Sequence, residues 1–534
     1  MSSIKNGYQI FIDDGNITLE VIGRAKNKLK AKVIVGGLLK GYIYHMMSFE
    51  TILLWVAVLL FASVVSSKIS DKFAVPVLLL FLTVGMLAGS EGIGKIYFDN
   101  AQIAKSFGIV ALVFIIFSGG VDTNWKDTKS IVLPGIILST LGVLITAIIT
   151  GVFAVYILEF SILEGILLGS IVSSTDAAAV FSILRSKKIS LKKPLKPLLE
   201  FESGSNDPMA IFLTLGLLSL LTVKGMGIVS LIPRFVLDMG MGALVGYVMA
   251  KVIVFFVKRL KLDYEGLYPV ITISLILFTY VIAFFLKGNG ILAVYIAGLV
   301  LGQAEFPNKK SIMKFHDGLA WISQIAMFVT LGLLVYPSHL VPLIGAGLLL
   351  TFILMVIARP VSVFLCLLPF KLSAPKKVML SWVGLKGSVP IILATFPLTA
   401  GIPQAETIFN IVFFVVIASV FIQGTSIPFV SKLLKLDVPF ADRKTYPIEF
   451  EKTEGIDAEL TDIIVPYNSE AIGKMIRELN VPEKCLVMLI SRNDKFVIPS
   501  GSTIIEGGDV LLVLASNADL AAFQQSLAHF KKEE

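Results

Sequence analysis

Residues 202–210 read Glu-Ser-Gly-Ser-Asn-Asp-Pro-Met-Ala, inside a stretch that is otherwise apolar as far as about residue 221. A carboxylate at the centre of a bilayer costs at least about 2.5 to 3.5 kcal/mol, so acids in such a place need a partner or a task. On a helix, Ser203 and Asp207 lie one turn apart on one face with Asn206 beside them, which brings a hydroxyl, an amide and a carboxylate to one point. These are hard oxygen donors, the kind that ligate a hard cation. Pro208 has no N–H, so the carbonyl of Gly204 loses its intrahelical donor and can join them. The plainer alternative is a polar contact that glues two helices together. Five polar side chains in six residues exceed what one such contact needs.

A second acid lies upstream in SSTDAAAV, where Asp176 follows Ser173, Ser174 and Thr175. Side chains of this kind compete for backbone hydrogen bonds and favour a local break in a helix. Broken helices at the middle of a membrane set helix ends and free carbonyls around an ion, and they come in matched pairs. GLKGSVPI supplies the second break, with Gly384, Gly387, Ser388 and Pro390 around Lys386, whose charge compensates the acids there. Two further charges need each other: Glu202 near the same point, and Arg359 of ARP, an arginine deep within an apolar run. An ion pair neutralises both. Asp238 and Lys251 lie nearer helix ends and read as solvated or packing residues, while His316 and Asp317 open a helix after a basic loop and read as a cap or an interface.

The scaffold that must carry these residues is legible in the composition. Of 534 residues, 56% are hydrophobic and 16% charged, and the mean hydropathy is +0.86, the profile of a polytopic α-helical membrane protein. Windows of about 20 apolar residues recur between residues 49 and 430, and thirteen transmembrane helices are expected. The loops after odd-numbered spans hold nineteen Lys and Arg against four in the others. Basic loops stay in the cytoplasm, so the first span starts outside and the chain ends inside. Spans one and eight start 217 residues apart and Asp176 and Lys386 lie 210 apart, which suits two inverted repeats joined by a seventh helix. The net charge of +8 follows mostly from those inward loops and calls for no nucleic acid. Residues 1–47 form an extension with a basic cluster that resists translocation and a 14-residue apolar run too short to span, which points to translation starting at Met46 or Met47. Cys366 and Cys485 read as packing thiols.

The membrane domain is expected over residues 48–435 and a linker over 436–445. Residues 446–534 alternate polar and apolar residues with no span-length run, and predict a small α+β domain. Its expected order is a strand at 458–466, an amphipathic helix at 469–479, three strands and a closing helix. A phosphate loop and a metal-ligand cluster are both missing from its sequence, so regulation or dimerisation is its expected role.

SSTDAAAV, ESGSNDP, ARP and GLKGSVPI, in this order, resemble the NhaP-type branch of the monovalent cation-proton antiporters over residues 47–435, and the tail resembles the RCK-C (TrkA-C) module. The combination is similar to potassium-proton antiporters of the cell-volume-regulation type. The resemblance implies an NhaA-like antiporter fold with two broken crossing helices, in the cell inner membrane with the tail cytoplasmic. It implies a homodimer with a mobile core, and no enzyme activity. It also implies K+ or Na+ at Asp207, Asp176, Ser203 and Thr175, with Asn206 beside them, and Glu202 paired structurally with Arg359. Related tails bind a small nucleotide, the regulatory ligand the resemblance suggests. The family usually carries Arg where this chain has Lys386, and Lys keeps the charge without the planar two-point bonding. Asn206 in place of a first Asp resembles the electroneutral, one-for-one group. An acid that holds a proton or a cation, never both, makes an exchanger. A potassium channel gated by such a tail is the rival, but the sequence has no TVGYG-type filter, and it lacks the nucleotide motifs of a pump.

Overall fold

The computed structural model describes residues 9–12, 17–25, 28–35, 48–73, 76–439, 458–479, 481–492 and 495–527. The expected start at Met46 or Met47 and residues 440–445 of the expected linker lie outside them. The chain divides into a unit of residues 1–61 and a unit of residues 62–534. In the first, strands Gln9–Ile12, Ile17–Ala25 and Lys28–Val35 pair antiparallel in chain order. Ile17, Leu19 and Val21 alternate with Thr18 and Glu20, the two-residue period of a strand.

Up to residue 433 the second unit is built mainly of helices, as lipid demands, because a helix satisfies its backbone polar groups internally. Among the described residues of the whole chain, eight helices are long and apolar enough to cross a membrane, Phe49–Lys68 through Ala405–Leu433. Five shorter apolar helices, Val77–Ala88, Ile162–Ile171, Ala177–Ser186, Gly290–Gln303 and Ser388–Ala400, lie in other windows expected to span. Lys309–Leu333 is long but opens on Lys309, Lys310, Lys314, His316 and Asp317, which lowers its hydropathy. His316 does not cap that helix: it is buried, with its Nε2 2.8 Å from the Thr272 hydroxyl and Phe117 edge-on to its ring.

The helices pack in two groups. One joins Val77–Ala88, Ala101–Asp122, Leu231–Arg259, Gly290–Gln303 and Lys309–Leu333. Its crossings are tight: a Cβ on Gly120 or Gly298 would strike the backbone of the other helix. The other group joins the helices of residues 132–158, 162–186, 195–222, 344–366 and 388–433. Two of its helices are interrupted. Ile162–Ile171 stops, residues 172–176 leave the helix, and Ala177–Ser186 resumes with the Asp176 side chain as its N-cap. Ala374–Trp382 likewise stops before Ser388–Ala400. The first break follows from Ser173, whose hydroxyl donates to the Ser170 carbonyl at 2.6 Å, and from the Asp176 cap. At the second, two glycines precede a helix whose third residue is Pro390.

After the half-helix Ala177–Ser186 the chain forms a short strand, Ile189–Leu191, paired antiparallel with Asp437–Pro439. The Lys192 N–H donates to the Leu436 carbonyl at 3.0 Å and extends the pairing. The tail is a four-stranded antiparallel sheet in the order Glu459–Ile464, Val510–Ala515, Leu486–Arg492, Lys495–Val497, covered by the helix Asn517–Leu527. The helix expected at residues 469–479 does not form. Gly473 adopts φ +86°, and the backbone of residues 473–477 bonds to residues 501–505 instead. Tertiary pairing there outweighs an amphipathic pattern that is only eleven residues long.

Candidate functional site

The two breaks cross. The Asp176 N–H donates to the Leu385 carbonyl at 2.8 Å, so each interruption supplies what the other lacks. Lys386 binds the end of the first half-helix, its Nζ donating to the carbonyls of Ser173 at 3.1 Å and Ser174 at 3.0 Å. An ammonium at a helix C-terminus meets the negative end of the dipole. Its backbone N–H is held by the Ser419 hydroxyl, which donates to Gln423, and Gln423 donates to the Trp382 carbonyl. Gly387 lies so close to the Asp176 carboxylate that a Cβ there would overlap it.

The helix Leu195–Thr222 runs past this crossing without a break, through Pro208. Its polar residues first secure the broken helix: the Ser203 hydroxyl accepts from the Ala177 N–H at 3.0 Å and donates to the Thr175 carbonyl at 2.9 Å, and Asn206 Nδ2 donates to Thr175 Oγ1 at 2.6 Å. What remains is a pair of acceptors. Asn206 Oδ1 and Asp207 Oδ1 are buried with no hydrogen-bond partner among the described residues. Orphaned buried acceptors are costly, and a proton or a cation would satisfy them. Glu202 and Arg359 meet separately, Oε1 to Nη2 at 2.5 Å, both nearly inaccessible. Arg359 also fills the space beside Gly384, which ties the pair to the second break.

A cavity of about 910 Å³ reaches this point, and Thr175, Asp176, Ser203 and Asp207 are among the residues that line it. Arg185, Lys196, Asp122, Glu200 and Asp317 also line it. The structure therefore brings Asp176, Thr175, Ser203 and Asp207 to one cavity, with Asn206 and Lys386 bonded to the same crossing, and sets Glu202 and Arg359 apart as an ion pair. Asp122, Glu200 and Asp317 were not read from the sequence as part of it, because acids beside basic loops look like ordinary helix ends. Tyr295, also on the wall, packs against Gly204, where a Cβ would meet its ring. Lone aromatic residues in apolar runs give no signal.

Residues 33–433 match the family model described as sodium/hydrogen exchanger, transmembrane. The chain belongs to this family. Residues 460–528 match the TrkA-C domain. The K(+)/H(+) antiporter NhaP of Alkalimonas amylolytica is 38% identical over 478 residues, 89% of this chain and 83% of that protein. The K(+)/H(+) antiporter NhaP2 of Shewanella sp. strain ANA-3 is 40% identical over 477 residues, 87% of this chain and 81% of that protein. The sodium proton antiporter MjNhaP1 from Methanocaldococcus jannaschii has a similar fold, with a TM-score of 0.63 over 72% of this chain and 99% of that one at 24% identity. This member of the exchanger family is a cation/proton antiporter, a multi-pass membrane protein and not an enzyme.

Proposed function

We propose that the chain exchanges cytoplasmic K+ for external H+, with the two competing for Asp207. The observation that carries this is that buried oxygens on Asn206 and Asp207, beside two crossing helix breaks, have no hydrogen-bond partner among the described residues. Carbonyls of the breaks, Thr175, Ser203 and Asp176 complete the oxygen set around a dehydrated cation. One positive charge in the site removes the attraction for another, so each ligand displaces its rival. Asn206 in place of a second acid leaves a single exchangeable charge and favours one-for-one, electroneutral turnover. K+ is preferred to Na+ because the relatives at 38% and 40% identity are named for K+, and because the tail is of the TrkA-C kind. Asp176 and Lys386 hold the crossing rather than titrate with the cargo, and Glu202 with Arg359 fixes the second break.

Thirteen crossings in two inverted repeats account for the charge bias of the loops and for the break positions. The proposed orientation sets Arg185, Lys196 and the tail in the cytoplasm of the inner membrane, so the cavity faces inward. The chain works as a homodimer through the first helix group. The TrkA-C domain regulates exchange, with a small nucleotide as the class of ligand, and the pairing of Val438 with Ser190, just after the half-helix capped by Asp176, supports this route. The test is an everted vesicle with an inward proton gradient, given K+, Na+ or Li+ in turn. K+ should collapse the gradient with the intact protein and fail with Asp207→Asn; collapse by the variant would rule out Asp207 as the shared site.

A further inference from the structure

Two polar side-chain contacts join the helix groups at residues outside the cavity's lining. Asn289 stands in the first group, 5% exposed, as N-cap of Gly290–Gln303. Its Oδ1 accepts from the Leu292 N–H at 3.0 Å, and its Nδ2 donates to Asp238 Oδ2 at 3.2 Å. Its backbone N–H donates to the Asp238 carbonyl at 2.8 Å. So held, the same Nδ2 reaches across to the second group and donates to the carbonyl of Pro208 at 3.1 Å. That carbonyl belongs to the residue directly after Asp207. A second contact joins the groups through Lys105, whose Nζ donates to Thr399 Oγ1 at 3.1 Å and lies 4.5 Å from the centre of the Phe396 ring. One turn on, Gly108 faces Ile392 on the same half-helix, Ser388–Ala400. Lys105 is in the first turns of Ala101–Asp122 and Asp122 lines the cavity at its far end, a separation of about 25 Å along the helix.

We propose that Asn289 and Lys105 are positioning residues that latch the ion-carrying helices to the first helix group on the outer side, and that both contacts part when the site turns outward. The inference rests on the exchange reading above, since a latch matters only where two groups move. Asp238, read from the sequence as a solvated or packing residue, becomes the brace that aims Asn289. Asn289 thus couples the gate to the site directly, because the bond it must break lies one residue from the acid that binds the cargo.

The test separates the latch from the cap. In the swap D238N/N289D, the new Asp keeps the cap on Leu292 and the new Asn restores the bond between positions 238 and 289, while the donor to Pro208 is lost. Lys105→Met removes the second contact alone. Each is built with Ile392→Cys in a chain whose Cys366 and Cys485 are replaced by Ser, because Ile392 is 1% exposed at the closed outer contact. Losing one such hydrogen bond should raise labelling of that cysteine by an impermeant thiol reagent from outside about fivefold. Without the labelling cysteine, each variant should raise the KM for K+ at the cytoplasmic face and lower it at the outer face, with the melting temperature near that of the parent. Unchanged labelling, or KM values that move together on both faces, would overturn the latch. Labelling reads the gate even if the parent exchanges no K+, an outcome that would defeat the exchange reading instead.

Discussion

The role proposed for Asp207 follows from the hydrogen bonds that its neighbours make. The Ser203 hydroxyl and the Asn206 amide nitrogen hold Thr175 and Ala177 in place, which leaves Asn206 Oδ1 and Asp207 Oδ1 without a hydrogen-bond partner among the described residues. Replacing Ser203 by Ala removes both hydrogen bonds to the break and should raise the KM for K+ by about tenfold, with the protein still inserted; a KM equal to the parent's would show the break needs no such support. The ion pair of Glu202 and Arg359 makes a different demand. Breaking a buried pair by removing one partner costs about 3 to 5 kcal/mol, so Arg359→Met alone should lower the melting temperature in detergent strongly. The double variant Glu202→Met with Arg359→Met should recover most of that loss. At this scale the sequence was informative, because charged and amide groups in an apolar run must find partners. Which group binds cargo and which binds backbone was not readable, since both tasks use the same atoms.

The two interrupted helices were legible for a chemical reason: Ser173, Ser174, Thr175 and Asp176 compete for backbone bonds, and Gly384, Gly387 and Pro390 weaken the other helix. Their crossing was not, because no local pattern announces that the Asp176 N–H will meet the Leu385 carbonyl. Lys386 marks the importance of that crossing. Lys386→Met leaves the Ser173 and Ser174 carbonyls without their donor, a loss of about 2 kcal/mol, and should reduce both the melting temperature and the exchange rate; Lys386→Arg should restore charge and most of the rate. Gly387→Ala drives a methyl group into Asp176 and should weaken K+ binding more than it lowers stability, as cation titrations and melts on the same sample will tell. In the tail, strands were readable from alternation. The misread segment at residues 469–479 turned on Gly473, whose positive φ lets the chain run along residues 501–505 rather than coil.

At the scale of the whole molecule, loops sorted by charge suggest an orientation, while the cavity and the strand pair at residues 437–439 came only with the fold. The pairing of Ser190 with Val438 links the membrane domain to the segment that leads into the tail. Since Lys192 donates to Leu436, the alternation of an antiparallel ladder makes Ser190 and Val438 the next hydrogen-bonded pair, and Val438→Pro removes a donor there. That variant should retain exchange yet respond to pH and K+ as a chain ending at residue 439 does; a response equal to the parent's would exclude this route of regulation. Competition of K+ and H+ for one acid is tested most directly in purified protein, through K+ affinity measured by calorimetry across pH. Competition requires affinity to weaken about tenfold for each unit of acidification below the midpoint of the site, and to vanish in Asp207→Asn. An affinity that stays constant with pH would contradict it.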